Sequence, residues 1–135
     1  MTKTKVVHVN SPEWRNTPEA ERVYIGRRVL RGKNQFPLSL WGNPYSVKSY
    51  EKRQSHDKAV ALAISNYEKY MRSRLRADRQ LRISLLNLQG KVLGCWCKPE
   101  ACHGDTLAQL ADMSDDEFKD WVSAEPAAHH ALTGE

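Results

Sequence analysis

Cysteine is scarce in this sequence, long apolar runs are missing, and acidic residues are thin over most of its length. The only three cysteines, Cys95, Cys97 and Cys102, all fall inside the stretch GCWCKPEACHGD, residues 94–105. An odd count gathered in one place argues against the disulfide framework of a small secreted domain. No apolar run exceeds a few residues, so no segment of the sequence reads as a membrane span and no membrane partner is expected. The first residues, MTKTKVVHVN, hold no apolar signal core, which makes a cytoplasmic location the expectation. Internal repeats and low-complexity tracts are also absent.

The sparse acids are unevenly placed. The net charge is +5, but residues 111–135 hold seven acids and one base, Lys119. The first 110 residues therefore carry 20 bases against nine acids, a net of +11. A basic body suits a phosphate-bearing partner, a nucleotide or a nucleic acid, although lysines and arginines on solvated faces also serve solubility alone. At 135 residues the chain is sized for one core. We expect a single domain over 1–124 and a flexible tail, EPAAHHALTGE, over 125–135. No sequence feature sets an oligomeric state.

Residue patterning gives the elements. KVVHV (Lys5–Val9) is short and β-branched and reads as a buried strand ending in a turn at NSPEW. Val23, Tyr24 and Ile25 before Gly26 suggest a second strand. Arg31–Val47 is rich in Gly, Pro and Asn and reads as a long ordered loop, a type more often functional than idle. Ser55 is a plausible N-cap for a long helix whose Val60, Ile64, Tyr67 and Met71 share one face. A second helix or kinked extension follows, with Leu81, Leu85 and Leu88 in register and Gly90 closing it. KVLGCWC (Lys91–Cys97) is an apolar strand, a helix begins near His103 or Gly104, and Ser114 with Glu117 forms a capping box for a last helix whose Phe118, Trp121 and Val122 face inward. The order predicts an α/β fold, a small, mostly parallel, Rossmann-like sheet with flanking helices and a C-terminal helix.

The cysteine stretch straddles a strand end and a helix start. Ligands of open α/β sheets bind at the carboxyl ends of strands, and a helix start offers free N–H groups to an anion. Three readings follow. In the first, Cys102 is a reactive thiol, its anion favoured by the helix start, with His103 adjacent and His8 at the same sheet edge. Cys95, Cys97, Cys102 and His103 supply four zinc ligands, although their spacing departs from paired C-x2-C knuckles. Otherwise the thiols are packing groups, Trp96 fills the opposite sheet face, and His103 and Asp105 cap a helix. For Cys95 and Cys97 we favour packing; for Cys102, His103 and Asp105 together, a site.

WGNPY (Trp41–Tyr45) is the second candidate. Gly42 permits unusual backbone angles and Pro44 stiffens the turn. Trp41 and Tyr45 offer flat faces for a base or sugar, and Asn43 can donate and accept hydrogen bonds. By itself the segment is better explained by two aromatics pinning a loop to the core. GRR (Gly26–Arg28) places Arg27 and Arg28 after a strand, where they suit phosphate. Arg72, Arg74, Arg76, Arg79 and Arg82 would track a nucleic-acid backbone or line a solvated helix face.

VYIGR (Val23–Arg27), LWGNPYSV (Leu40–Val47), the arginine-bearing helix and GKVLGCWCKPEACHGDTLAQL (Gly90–Leu110) together resemble the domain-of-unknown-function family 4326. The likeness covers about residues 5–112 and implies an uncharacterised bacterial and phage α/β domain. A more distant likeness is to a second uncharacterised α/β family that closes on L-x-C-x-E, a short gap and C-H-R before a helix. Here Gly104 stands in place of that arginine and Lys98 near the acidic position, so any phosphate contact would fall to Arg27, Arg28 or Lys98.

The expected function is binding, and action on, a nucleotide or a base or sugar of nucleic acid. WGNPY would hold the base or sugar, Arg27, Arg28 or Lys98 the phosphate, and Cys102, His103 and Asp105 the chemistry, at a glycosidic bond or a phosphate ester. No cofactor is required. The rivals are a non-enzymatic module for nucleic acid or a nucleotide signal, and a zinc-stabilised interaction domain.

Overall fold

The computed structural model describes residues 3–33 and 35–124; the expected tail, 125–135, lies outside the described residues. Three short apolar runs pair as a parallel sheet: β1 (Lys5–His8), β2 (Arg22–Tyr24) and β3 (Val92–Cys95), in the order β1-β3-β2. The register places His8 opposite Cys95 and Tyr24 opposite Gly94. All three carboxyl ends therefore open on one edge. The second strand lies one residue earlier than its side-chain pattern suggests, yet the ladder continues, since Ile25 N–H donates to the Gly94 carbonyl at 3.0 Å.

Gly94 sits beneath an aromatic ring. A Cβ there would lie 2.5 Å from the ring of Trp14, the buried residue of a short helix, α1 (Pro12–Asn16). That helix occupies the expected turn at NSPEW: Ser11 caps it by accepting the Trp14 N–H, and Pro12 pre-sets its first backbone angle. The long loop carries one antiparallel bridge, Val29 to Phe36, and ends in α2 (Val47–Glu51).

The central helix, α3 (His56–Ala77), starts at the expected Ser55 cap. Its buried stripe is Ala59, Ala63, Tyr67, Met71 and Leu75, a strict i, i+4 row. Bulk in the sequence points to Val60 and Ile64 instead. The first half is rotated because alanines admit close approach of α2 and the WGNPY loop, whose Asn43 side chain donates to the Ala63 carbonyl at 3.2 Å. Val60 and Ile64 line a shallow groove of about 540 Å³ with Asp57, Glu68 and Glu100 on its walls.

Asp78 ends α3 and caps α4 (Arg79–Leu86), accepting from the amides of Gln80 and Leu81, so the expected extension is a separate helix. Leu81, Leu85 and Leu88 are all buried. Gly90, at φ +75°, turns the chain into β3. Next come α5 (His103–Ala111) and α6 (Asp115–Ser123), the latter starting at the expected Ser114–Glu117 capping box. One apolar cluster joins Ile25 and Leu93 of the sheet region to residues of α3, α4, α5 and α6. The molecule is a small α/β fold with a three-stranded parallel sheet, flanking helices and a C-terminal helix, as expected.

Four arginines of the run are held by contacts within the fold, while Arg79 is exposed. Arg72 stacks its guanidinium 4.2 Å from the Trp121 ring and donates to the Trp121 carbonyl at 2.9 Å. Arg76 donates to the carbonyls of Val122 and Ala124 at 2.6 and 2.9 Å. These cations sit at the carbonyl end of α6, where the helix dipole favours positive charge. Arg82 covers the Phe118 ring at 3.7 Å and pairs with Asp115, and Arg74 reaches the Leu40 carbonyl at 3.2 Å.

Candidate nucleotide pocket at the sheet edge

At the carboxyl edge of the sheet lies a pocket of about 210 Å³. Its walls come from segments far apart in sequence: Gly26 and Arg27 after β2, Asn43 and Tyr45 of the WGNPY loop, Ser46 and Val47 at the start of α2, Cys95, Trp96 and Cys97 at the end of β3, and His103 of α5. Parallel strands place their carboxyl ends side by side, so loops leaving them converge here.

The WGNPY loop divides its residues between frame and wall. Trp41 is buried, 4% exposed, and its carbonyl accepts the buried Tyr67 hydroxyl at 2.8 Å. It belongs to the core, and neither it nor Gly42 lines the pocket. Asn43 is pinned at both ends, donating to Ala63 and accepting the Tyr45 N–H at 2.8 Å. Tyr45, packed edge-on against Tyr70, is the aromatic of the motif that faces the opening. Arg27 is exposed at the rim, and none of the ion pairs among the described residues uses it. Arg28 and Lys98 are not among the wall residues.

The CHGD turn is likewise split. Cys102 is the N-cap of α5: its sulfur accepts the Gly104 N–H at 3.2 Å, while Asp105 accepts the Cys102 N–H at 3.0 Å. The anion-binding potential of this helix start is thus taken up by its own cap. Asp105 also pairs with Lys98 at 2.5 Å. Gly104 lies against the sheet, where a Cβ would stand 2.6 Å from Ile25 and 2.8 Å from Val6. An arginine at that position has no room.

His103 closes the pocket floor. Its Nε2 lies 2.8 Å from the Ile25 carbonyl, so that nitrogen carries the proton and Nδ1 is the acceptor, 3.9 Å from Cys102 Sγ. Burial lowers its pKa below the ordinary imidazole value, which keeps the ring neutral at pH 7. Tyr67 packs edge-on against it at 4.8 Å.

Cys95 and Cys102 are both buried, with sulfurs 3.2 Å apart. Cys95 ends the strand as a core residue, as expected. Cys97 is not buried: β3 stops at Cys95, and the turn carries Cys97 out to an exposed position on the pocket wall. Hydrogen bonds from Cys102 and then Cys97, with the Lys98 and Cys97 amides, hold the Cys95 thiol well below its ordinary range. The Cys102 thiol is pushed up by its bonds to Cys95 and Cys97 and by burial. For Cys97 the bond to Cys102 lowers the pKa, but Cys95 and burial outweigh it and raise the thiol. Among the described residues no three His, Cys, Asp or Glu side chains are grouped to hold a metal ion.

Sequence reasoning passed over three features of this edge. Trp96 donates its indole N–H to the Tyr24 hydroxyl at 2.8 Å, Phe36 stacks on Tyr24 with centroids 3.9 Å apart, and His8 meets Trp96 edge-on at 5.7 Å. Trp96, expected on the sheet face opposite the cysteines, lies past the end of β3 and shares the pocket wall with Cys95 and Cys97, and its partners come from β1, β2 and the loop. Ser46 and Val47 join the wall only because α2 begins there.

The sequence profile of the domain of unknown function DUF4326 matches residues 7–113. The chain belongs to that family. It is similar to the uncharacterized protein R718 of Acanthamoeba polyphaga mimivirus, 31% identical over 96 residues, covering 65% of this chain and 65% of that protein. It is equally similar to an uncharacterized 12.4 kDa protein in the nrdA-td intergenic region of Enterobacteria phage T4, 31% identical over 99 residues, covering 70% of this chain and 82% of that protein. The chain thus spans just under two thirds of the mimivirus protein's length. No solved structure matches.

Proposed function

We propose that this DUF4326 chain binds a nucleotide, or a nucleotide unit of a nucleic acid, in the pocket at the carboxyl edge of its sheet. The observation that supports this most is convergence: Arg27, Tyr45 and His103, from three separate segments, meet around one opening. Arg27 suits the phosphate as an exposed guanidinium with bidentate geometry. Tyr45 and Trp96 offer aromatic faces to the base or sugar. The pocket, about 210 Å³, is smaller than the roughly 300–1,000 Å³ of a full small-molecule site, so it would take one part of a nucleotide and leave the rest in solvent.

Within that reading the chemistry falls to His103. Neutral His103 has an acceptor nitrogen, so it can take a proton from water or a hydroxyl during cleavage of a glycosidic bond or a phosphate ester. Asp105 and Cys102 act by positioning, through the cap that fixes the start of α5. The non-enzymatic reading draws on the same pocket. It draws less on the Arg72–Arg82 run, whose cations other than the exposed Arg79 are engaged with α6 and the loop.

A thermal-shift screen with nucleoside mono-, di- and triphosphates and short single-stranded oligonucleotides tests the proposal. Binding stabilises the native state by mass action, and the effect should be lost in Arg27→Ala and Tyr45→Ala. Ligands that stabilise both variants as well as the parent would sink this site. Turnover of a bound ligand, lost in His103→Gln, separates an enzyme from a binding module.

A further inference from the structure

Two sulfurs meet at the end of β3, with a third cysteine on the neighbouring pocket wall, in an arrangement that ligand binding does not require. Cys95 and Cys102 face each other at 3.2 Å, in the core, across seven residues of chain. Cys97 is exposed and shares the pocket wall with Cys95. Cys102 Sγ donates to Cys95 Sγ and itself accepts the Gly104 N–H at 3.2 Å. Such donors stabilise a thiolate, the form that attacks a disulfide. A covalent bond needs about 2.05 Å between sulfurs, so closing the Cys95–Cys102 pair takes a shift of about 1 Å.

We propose that Cys95, Cys97 and Cys102 form an oxidisable thiol site that reduces a small-molecule disulfide and stores the oxidation as a Cys95–Cys102 bond, with Cys97 reacting first. The exposed Cys97 gives its proton to solvent and attacks one sulfur of the external disulfide, forming a mixed disulfide and releasing one thiolate. Cys95 then attacks the Cys97 sulfur and releases the second small thiolate. Cys102 attacks Cys95 in turn and returns Cys97 to its thiolate. In sum, two protein thiols are oxidised, one external disulfide is reduced, and two small thiols leave with the two protons. This site stands independently of any nucleotide in the pocket. The bond would alter the cap of α5, because Cys102 Sγ is the acceptor for the Gly104 N–H.

The test uses the full chain, glutathione disulfide as oxidant, and alkylation of the remaining thiols under denaturing conditions. Glutamyl endopeptidase cleaves after Glu100, between Cys97 and Cys102, so a bond from Cys95 to Cys102 holds two fragments together until reduction. We expect one alkylatable thiol after oxidation, linked fragments, and full recovery with dithiothreitol. Cys97→Ser should give the same linked fragments about tenfold more slowly, since exchange depends on access to the attacking thiol. Cys102→Ser, which keeps a good N-cap acceptor, should give no link across Glu100. Three free thiols in a protein that keeps its native circular dichroism would overturn the proposal. So would a glutathione adduct that persists on Cys97 without a link, or a Cys97→Ser variant that oxidises as fast as the parent.

Discussion

Two regions of this molecule carry the polar groups that a sequence reader would call functional, and the fold treats them in opposite ways. The run from Arg72 to Arg82 holds five arginines in eleven residues. All but the exposed Arg79 turn to the carbonyls and rings of α6 and to the Leu40 carbonyl, and serve as fasteners. GRR is a far weaker motif, yet it leaves Arg27 on the rim of an opening shared with Tyr45 and His103. Charge density along a sequence does not measure charge available to a ligand. An arginine near uncapped helix carbonyls is drawn to them, whereas one leaving a parallel strand is delivered to the edge where loops converge.

The largest effects should separate the two regions cleanly. Arg27→Ala should weaken nucleotide binding about 10- to 100-fold, the worth of a charged hydrogen bond, with little change in melting. Isothermal calorimetry and a melt on the same sample check both halves. Arg72→Ala should do the reverse: a loss of about 1–3 kcal/mol of stability, from a carbonyl bond and a cation–π contact, read by urea unfolding, with unchanged affinity.

Asp105→Ala removes one arm of the α5 capping box and should cost about 1 kcal/mol, again in urea. A larger loss of ligand affinity than of stability would promote Asp105 from a positioning residue to a contact.

The smallest effect is on pH dependence. His103 is held below the ordinary imidazole value of 6.5 by burial. Its unfolded form therefore binds a proton more readily than its folded form, and its contribution to stability, full above that value, falls as pH drops below it. The exposed His56, raised by bonds to Glu51 and then Glu100, has the opposite sign: its contribution is full below the same value and is lost as pH rises through its higher folded pKa. Stability measured from pH 5 to 8 in His103→Gln and His56→Gln should show opposite changes in slope; changes of the same sign would contradict the assignment.

Much of the fold was legible because its signals are local. Ser55, Ser114–Glu117 and Gly90 mark element ends by chemistry that acts within one turn. The α3 face was legible only from Tyr67 onward, because the first half packs through alanines, which carry little hydropathy signal. The site was half legible. Strand order and CHGD placed an edge, and Tyr45 and Arg27 reach it. Trp41 could not be told from Tyr45 by type, and its burial is decided by Tyr67, 26 residues away. The exposure of Cys97 depends on where β3 stops, which no property of the cysteine itself reveals.

The central claim is that ligand charge is met at the sheet edge and not on the arginine-rich helix. The most direct test is calorimetric titration of the best-stabilising nucleotide into the parent protein, Arg27→Ala and Arg76→Ala, side by side at low salt. The account expects at least about tenfold weaker binding for Arg27→Ala and parent-like binding for Arg76→Ala. Parent-like binding by Arg27→Ala together with loss in Arg76→Ala would contradict it.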